Sequence, residues 1–229
     1  MEDKIYKEMV ANAVHFGHRT QKWDPRMRKY LHGEKNGIHI FDLEKTVEML
    51  NKALDFLSKS VAEGKLILFV STKPQAIHLI EKTAKECGMP FIVTRWVPGF
   101  ITNFPTIKKR IKYLNDLRSQ QETGEFDKYT KKEASKLKKE IDKLETSLGG
   151  VKDLTRKPDV IFVGDVVKDR IVVEEAYRAK IPVVAIVDSN ANPERVTYPI
   201  PGNDDAVRSI SYLVGKVAEV IKGTKTAKK

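Results

Sequence analysis

Four residues of the chain have side chains that could together bind a divalent metal ion. His18 is the second histidine of an H-x-x-H motif that begins at His15. Asp188, Asp204 and Asp205 follow predicted strands, at the edge of a sheet where such a site would lie. Carboxylates together with an imidazole suit zinc or magnesium. Helix capping and turn chemistry explain the same aspartates without a metal, so both interpretations stay open.

A second group of residues, from Arg95 to Lys112, has the chemistry of a nucleic-acid contact. Arg95 and Trp96 offer a guanidinium and an indole face, which suit phosphates and unstacked bases. The alternative is that Trp96 and the phenylalanines after it are core residues that close a loop. The candidate RNA contacts of this stretch are Arg95, Trp96, Asn103, Lys108, Lys109, Arg110 and Lys112.

A basic stretch also lies near the N-terminus, between Gly17 and Gly37. It contains six cations against Asp24 and Glu34, with aromatic side chains between them. We predict an irregular loop of about 20 residues, which is uncommon in a compact domain unless it binds something. A plain solvated loop is the alternative. The candidate RNA contacts here are Arg19, Lys22, Trp23, Arg26, Arg28 and Lys29.

The composition favours a polyanionic partner. The chain has 229 residues, 32% of them charged, and a formal net charge of +11. Lys and Arg that displace counterions from phosphates gain affinity without reading sequence, so nucleic acid ranks first and an anionic membrane surface second. No apolar run reaches the roughly 18 residues of a membrane span, and we expect a soluble protein inside the cell. The single cysteine, Cys87, excludes an internal disulfide and a C-x-x-C metal site.

The elements that must position these residues follow an α/β pattern. Unbroken apolar runs near residues 66–70, 91–93, 159–164 and 182–187 are typical of strands covered on both faces. Helical patterns separate them, which predicts right-handed crossovers and a doubly wound parallel sheet. The expected helix boundaries are a first helix over 4–16 ended by Gly17, an N-cap at Asp42, a helix start at Pro74, a helix end at Gly88, and a cap at Asn203 with Asp204 and Asp205 in the first helical turn.

A charged helical insertion interrupts this pattern. Its first arm has Ile107, Ile111 and Leu114 at heptad spacing, and its second arm continues the spacing from Ala134 to Leu148. The pattern predicts two antiparallel helices zipped as a coiled-coil hairpin. We therefore divide the chain into a discontinuous α/β domain, residues 1–104 and 150–229, and a helical hairpin, residues 105–149.

A doubly wound sheet also permits an enzyme or sensor that binds a phosphorylated small ligand. The sequence contains neither G-x-G-x-x-G nor G-x-x-x-x-G-K-[ST], and no G-x-S-x-G elbow. The enzyme interpretation is therefore the alternative and not the first choice.

In combination, several motifs across the chain resemble the bacterial-type small-subunit ribosomal protein S-two family. These are His15-Phe16-Gly17-His18, Trp23-Asp24-Pro25-Arg26-Met27, His39 to Thr46, Arg95-Trp96 with Thr102-Asn103, Leu144 to Gly150, Ile181 to Asp188, and Pro201 to Ala206.

The resemblance implies a flavodoxin-like parallel sheet with a protruding coiled-coil hairpin. It also implies a non-enzymatic protein of the cytoplasmic ribosome, bound to small-subunit rRNA between the head and the body. In this family the protein joins late in assembly and supports docking of the large OB-fold protein S-one, which captures messenger RNA. No small-molecule substrate, membrane or obligatory cofactor is expected, and zinc or magnesium is the only metal under consideration.

Overall fold

The N-terminal part of the computed structural model, which describes residues 2–226, is a helix followed by a small antiparallel sheet. Helix α1 spans Glu2–Ala11, and the strands β1 (Phe16–Arg19), β2 (Leu31–Lys35) and β3 (Ile38–Phe41) pair in the order β1-β3-β2. Strands β2 and β3 are joined by an Asn-Gly turn in which both residues have positive φ, 53° and 73°. The backbone twist of such a turn matches the twist of the two strands that it joins. Since strands and short 3₁₀ helices account for most of the basic stretch, our prediction of an irregular loop is wrong.

The first helix is also shorter than predicted. It ends at Ala11, and Ala13, not Gly17, takes the left-handed conformation, with φ at 59°. Gly17 lies in β1, where a Cβ would stand 2.8 Å from Ser189 Oγ. The glycine is therefore needed for close approach to the main sheet and not for ending a helix.

Five parallel strands form the central sheet and confirm the doubly wound prediction. Spatially they run β5-β4-β6-β7-β8, which is the flavodoxin-like order. Successive side chains of the first four of these strands in chain order enter two different apolar clusters, as period-2 alternation requires. The strands are β4 (Ile67–Val70), β5 (Phe91–Ile92), β6 (Val160–Val163), β7 (Val183–Val187) and β8 (Tyr198–Pro201).

Helices cover both faces of this sheet. On one face α2 (Leu43–Ala62), α3 (Pro74–Cys87) and α7 (Val207–Thr226) pack together. On the other lies α6 (Arg170–Arg178), with the loop that follows β5. Three predicted boundaries are confirmed: the Asp42 carboxylate caps α2, Pro74 begins α3, and Gly88 ends α3 with φ at 59°.

The insertion is a pair of packed helices, α4 (Phe104–Glu122) and α5 (Lys131–Leu148). They run antiparallel, since Arg118 contacts Glu145 and Asn115 donates to the Lys152 carbonyl. Their buried side chains belong to the same apolar cluster as one face of the sheet. The coiled coil and a separate domain over residues 105–149 stay predictions. Buried seam residues include Ile107, Ile111, Leu114, Leu117, Ile141 and Leu148.

The base of the hairpin is seated against the edge of the sheet. A Cβ on Gly150 would lie 2.3 Å from the carbonyl oxygen of Phe91, so only glycine fits there. Nearby, the Thr94 hydroxyl donates to the Thr146 carbonyl over 2.6 Å. Over residues 2–226, no helix has both the length and the apolar character that crossing a membrane requires.

Candidate nucleic-acid interface and charged edge cluster

A buried lysine lies among carboxylates at the carboxyl ends of the parallel strands. Lys73 Nζ is 2.6 Å from Asp204 Oδ1, 2.7 Å from Asp205 Oδ1 and 3.0 Å from Asp165 Oδ2. Burial by itself lowers the pKa of the lysine, but the charge and hydrogen bond of Asp204, with those of its neighbours, outweigh burial and raise that pKa. Lys73 is therefore a fixed cation inside the protein.

His18 extends this group toward the small sheet. Its Nδ1 is 3.0 Å from Asp188 Oδ1, and its Nε2 is 3.3 Å from Asp205 Oδ2. The hydrogen bond with Asp188 raises the pKa of the imidazole, against the opposing effect of burial. Burial, followed by the charges of Asp188 and its neighbours, raises the pKa of the Asp204 carboxyl. We call this group the edge cluster, consisting of His18, Lys73, Asp165, Asp188, Asp204 and Asp205.

The edge cluster brings together all four residues predicted as metal ligands. Ligand atoms of His18, Asp188 and Asp204 lie within 4.8 Å of one another. One imidazole and two carboxylates form a donor set that fits zinc with an open position. Asp205 instead bridges His18 and Lys73.

Two details of the edge cluster differ from the sequence interpretation. Asp204 and Asp205 precede α7, which begins at Val207. The Asn203 side chain accepts hydrogen bonds from the backbone N–H groups of Asp205 and Ala206, so it caps a turn before the helix. Sequence reasoning also missed Lys73. The available signal was a cation directly after a buried strand, at the sheet edge where the aspartates were expected.

The N-terminal basic segment, residues 19–30, presents most of its predicted cations to solvent. Arg26 is exposed but contacts the carboxylates of Asp24 and Glu194, the latter over 3.4 Å. Trp23 is half-buried, with its ring centroid 5.0 Å from that of His39. Within residues 2–226, the other four predicted cations make no ion pair; these are Arg19, Lys22, Arg28 and Lys29.

Trp96 is held inside the protein and cannot serve as a stacking platform. Its side chain is only 6% exposed, and its Nε1 donates to Glu175 Oε1 over 3.1 Å. This burial counts against the prediction that Trp96 contacts RNA and favours the alternative of a core aromatic. An indole can donate from its edge while its faces pack, which the sequence alone does not reveal.

One carboxylate, that of Glu175 on α6, shapes the whole loop after β5. Besides the indole it accepts from the backbone N–H groups of Gly99, over 2.7 Å, and Ile101, over 3.0 Å. Burial raises the pKa of Glu175, but these hydrogen bonds more than compensate and hold it below its ordinary value. Sequence reasoning missed this residue, because nothing local marks an acidic side chain on a helix as an anchor.

The remaining candidates, in the loop after β5 and in the first turns of α4, are exposed. We call residues 95–112 the hairpin-base segment. Asn103 directly precedes α4, where its Oδ1 accepts from the Thr106 hydroxyl over 3.0 Å. In the part of the chain that is described, no acid pairs with the exposed cations of this segment, which are Arg95, Lys108, Lys109, Arg110 and Lys112.

The structure defines a class of α/β protein with a basic outer surface. Its features are a flavodoxin-like sheet, a helical hairpin after the second strand of that sheet, and exposed cations at the hairpin base that have no acidic partner among the described residues. A family model described as ribosomal protein S2 matches residues 9–223. The chain belongs to the ribosomal protein S2 family, which is a family of structural proteins and not of enzymes.

Individual relatives agree with this assignment. The chain is 50% identical over 215 residues to the small ribosomal subunit protein uS2 of Dehalococcoides mccartyi, covering 94% of this chain and 88% of the relative. It is 46% identical to uS2 of Dictyoglomus turgidum, with 95% and 88% covered. It is 45% identical to uS2 of Treponema pallidum, with 94% and 74% covered.

Proposed function

We propose that this protein is a structural component of the small ribosomal subunit, in the cytoplasm, and that it binds small-subunit rRNA through its N-terminal basic segment and its hairpin-base segment. The observation that carries the proposal is the set of exposed cations in the two segments that have no acidic partner among residues 2–226. Such cations contact phosphates, and phosphate contacts position a protein on RNA more than they read its sequence.

Two finer roles follow from family membership and complete the proposal. The protein joins the subunit late in assembly, and it supports docking of the OB-fold protein S-one beside neighbouring small-subunit proteins. Both roles need a rigid body placed on rRNA. The Glu175 anchor supports this, because it holds the loop that presents Arg95 and Asn103.

Binding to small subunits assembled without the protein tests the proposal. We expect saturable one-to-one binding that weakens as salt rises, because phosphate contacts release counterions. Transfer RNA in excess is the competitor. If transfer RNA abolishes binding equally at every salt concentration, the binding is a non-specific attraction caused by the net charge, and the proposal is contradicted.

Charge reversal in the hairpin-base segment is the matching variant. Replacing Arg95 and Lys109 with glutamate places acids beside phosphates, so we expect affinity for the depleted subunit to fall by at least about 100-fold. The same reversal at Lys52 and Lys59, exposed on α2, is the control and should bind normally. Circular dichroism checks that both double variants fold. Unchanged binding of the Arg95 and Lys109 variant would remove these residues from the interface.

The alternative, an enzyme or sensor for a phosphorylated ligand, conflicts with the charge at the sheet edge. There, three carboxylates contact Lys73, and a fourth contacts His18. A phosphate would meet net negative charge where such folds usually bind it. We expect common nucleotides to leave the melting temperature unchanged, whereas stabilisation that grows with nucleotide concentration would support the alternative.

A divalent ion in the edge cluster is a second, separate proposal. We expect zinc to bind one-to-one through His18, Asp188 and Asp204, and His18→Ala to lose that binding in a calorimetric titration. His78→Ala on α3 is the control, because its side chain is exposed. Magnesium is titrated in parallel. If elemental analysis of chelator-washed, zinc-dialysed protein finds no stoichiometric metal, the aspartates are explained by Lys73 and by turns.

A further inference from the structure

The outer face of α6 exposes large side chains that no role described so far uses. Val167 just before the helix is 48% exposed, Ile171 is 54% exposed and Tyr177 is 58% exposed. At 100° per residue Ile171 and Tyr177 lie 120° apart, on the two edges of the exposed side of the helix, and each is at least 100° from buried Val172 and Ala176. This is a concentrated feature, since the described residues expose only eight large apolar side chains in all.

Three contacts place this face between the two basic segments. On one side, Arg26 of the N-terminal basic segment contacts Glu194 over 3.4 Å, and the next residue, Arg195, pairs with Glu174 on α6. On the other side, Glu175 accepts from Gly99 within the hairpin-base segment over 2.7 Å. An RNA strand that contacts both segments therefore passes across α6.

The charge of this surface matches such a strand. Four cations surround the exposed face against two carboxylates, those of Glu174 and Glu194, which are already paired with Arg195 and Arg26. Outward-facing Arg178 adjoins Tyr177 and is exposed. The cations are Lys168, Arg170, Arg178 and Arg195.

Tyr177 has the geometry of a stacking platform. The guanidinium carbon of Arg195 is 5.1 Å from the centroid of its ring, so a cation supports one side of an otherwise exposed aromatic. Unpaired bases stack on exposed aromatic rings, and neighbouring arginines contact their phosphates.

We propose that the outer face of α6 binds an unpaired nucleotide of the rRNA, with the base stacked on Tyr177 and the adjoining phosphate at Arg178. The inference rests on the proposed function, because it assigns the middle of the same RNA-binding surface. RNA is the favoured occupant over a protein because basic segments flank the face on both sides.

The test combines affinity with cross-linking. Tyr177→Ala should weaken binding to subunits assembled without the protein by roughly tenfold, the loss of one stacked base. Tyr177→Phe keeps the ring and should bind within about twofold. Arg178→Gln should reduce the slope of log affinity against log salt by about one phosphate's contribution, whereas Tyr177→Ala should not change the slope. Tyr129→Ala, at the hairpin tip and 47% exposed, is the matched control.

Cross-linking decides which macromolecule occupies the face. Subunits carrying 4-thiouridine in the rRNA are irradiated with the bound protein, and we expect a nucleotide adduct on the peptide that contains Tyr177. Normal affinity of Tyr177→Ala without an adduct would overturn the inference, while wild-type binding keeps the proposed function intact. Weaker binding with cross-links only to a ribosomal protein would also overturn it. Failure of the wild-type protein to bind the subunits would instead refute the proposed function.

Discussion

Lys73→Met is expected to lower the free energy of unfolding by about 3–5 kcal/mol at neutral pH. The substitution leaves Asp165 and Asp204, which are 5% and 1% exposed, without their counter-ion. Burial and neighbouring carboxylates already raise the pKa of Asp204, and loss of the ammonium raises it further. The pKa of Asp204 in the wild-type protein is about 8, so the deficit should be nearly constant below pH 8 and should grow as pH rises above it, where only the wild-type carboxylate ionises beside an ammonium. Urea denaturation at several pH values measures it.

A matched substitution separates burial from ion pairing. Lys52 Nζ lies 2.6 Å from Glu48 Oε1, the same distance as Lys73 from Asp204, but both partners are more than half exposed. Lys52→Met should therefore change stability by less than about 1 kcal/mol. Equal losses of stability in Lys73→Met and Lys52→Met would show that the buried ion pairs of the edge cluster contribute no more than an exposed pair.

Glu175→Ala is expected to cost at least about 3 kcal/mol, because each buried donor left without an acceptor costs roughly 1–3 kcal/mol. The donors left unpaired are the Trp96 indole and the backbone N–H groups of Gly99 and Ile101. The melting temperature should fall by roughly 6–12 °C for a chain of this size. We also expect weaker binding to depleted subunits, since the hairpin-base segment loses its anchor.

The pH dependence identifies the carboxylate as the cause. The pKa of Glu175 is lowered from its ordinary value of 4.5, so its contribution is fully present above that value and is lost as pH falls through the lower, folded value. The glutamine of Glu175→Gln cannot titrate, so the difference in free energy of unfolding between this variant and the wild type should become smaller as pH falls. Glu174→Gln, one residue away in a half-exposed pair with Arg195, is the control and should lose less than about 1 kcal/mol. A difference that does not depend on pH would contradict this account.

The parts of the fold that the sequence predicted are those that local chemistry determines. Continuous apolar runs marked β4, β6 and β7, and an acid, a proline and a glycine marked the ends of α2 and α3. The misreadings share a cause, since long-range contacts decided them. In the sequence Gly17 resembles a residue that ends a helix. In the structure it lies against Ser189, which is distant in the chain and leaves no room for a Cβ. The Asn-Gly turn was a local hairpin signal that the surrounding charges obscured.

The candidate site divides in the same way. Exposed cations could be nominated from composition, because nothing but solvent surrounds them. Trp96 could not be separated from them, since it packs into an apolar cluster and donates to Glu175, 79 positions along the chain. Lys73 and its three aspartates follow three different strands, β4, β6 and β8, and only the sheet order brings them together. Such contacts are properties of topology and not of any sequence window.

The close packing of Gly150 against Phe91 also covers one edge of the central sheet. Strand β5 is one margin of the central sheet, and residues 149–151 lie along it. The opposite margin, β8, contains Pro199 and Pro201, which have no N–H to offer another strand. Unprotected margins invite pairing between copies and lead to aggregation. Both margins are therefore protected within the chain itself, and we expect the free protein to resist edge-to-edge pairing of its sheets.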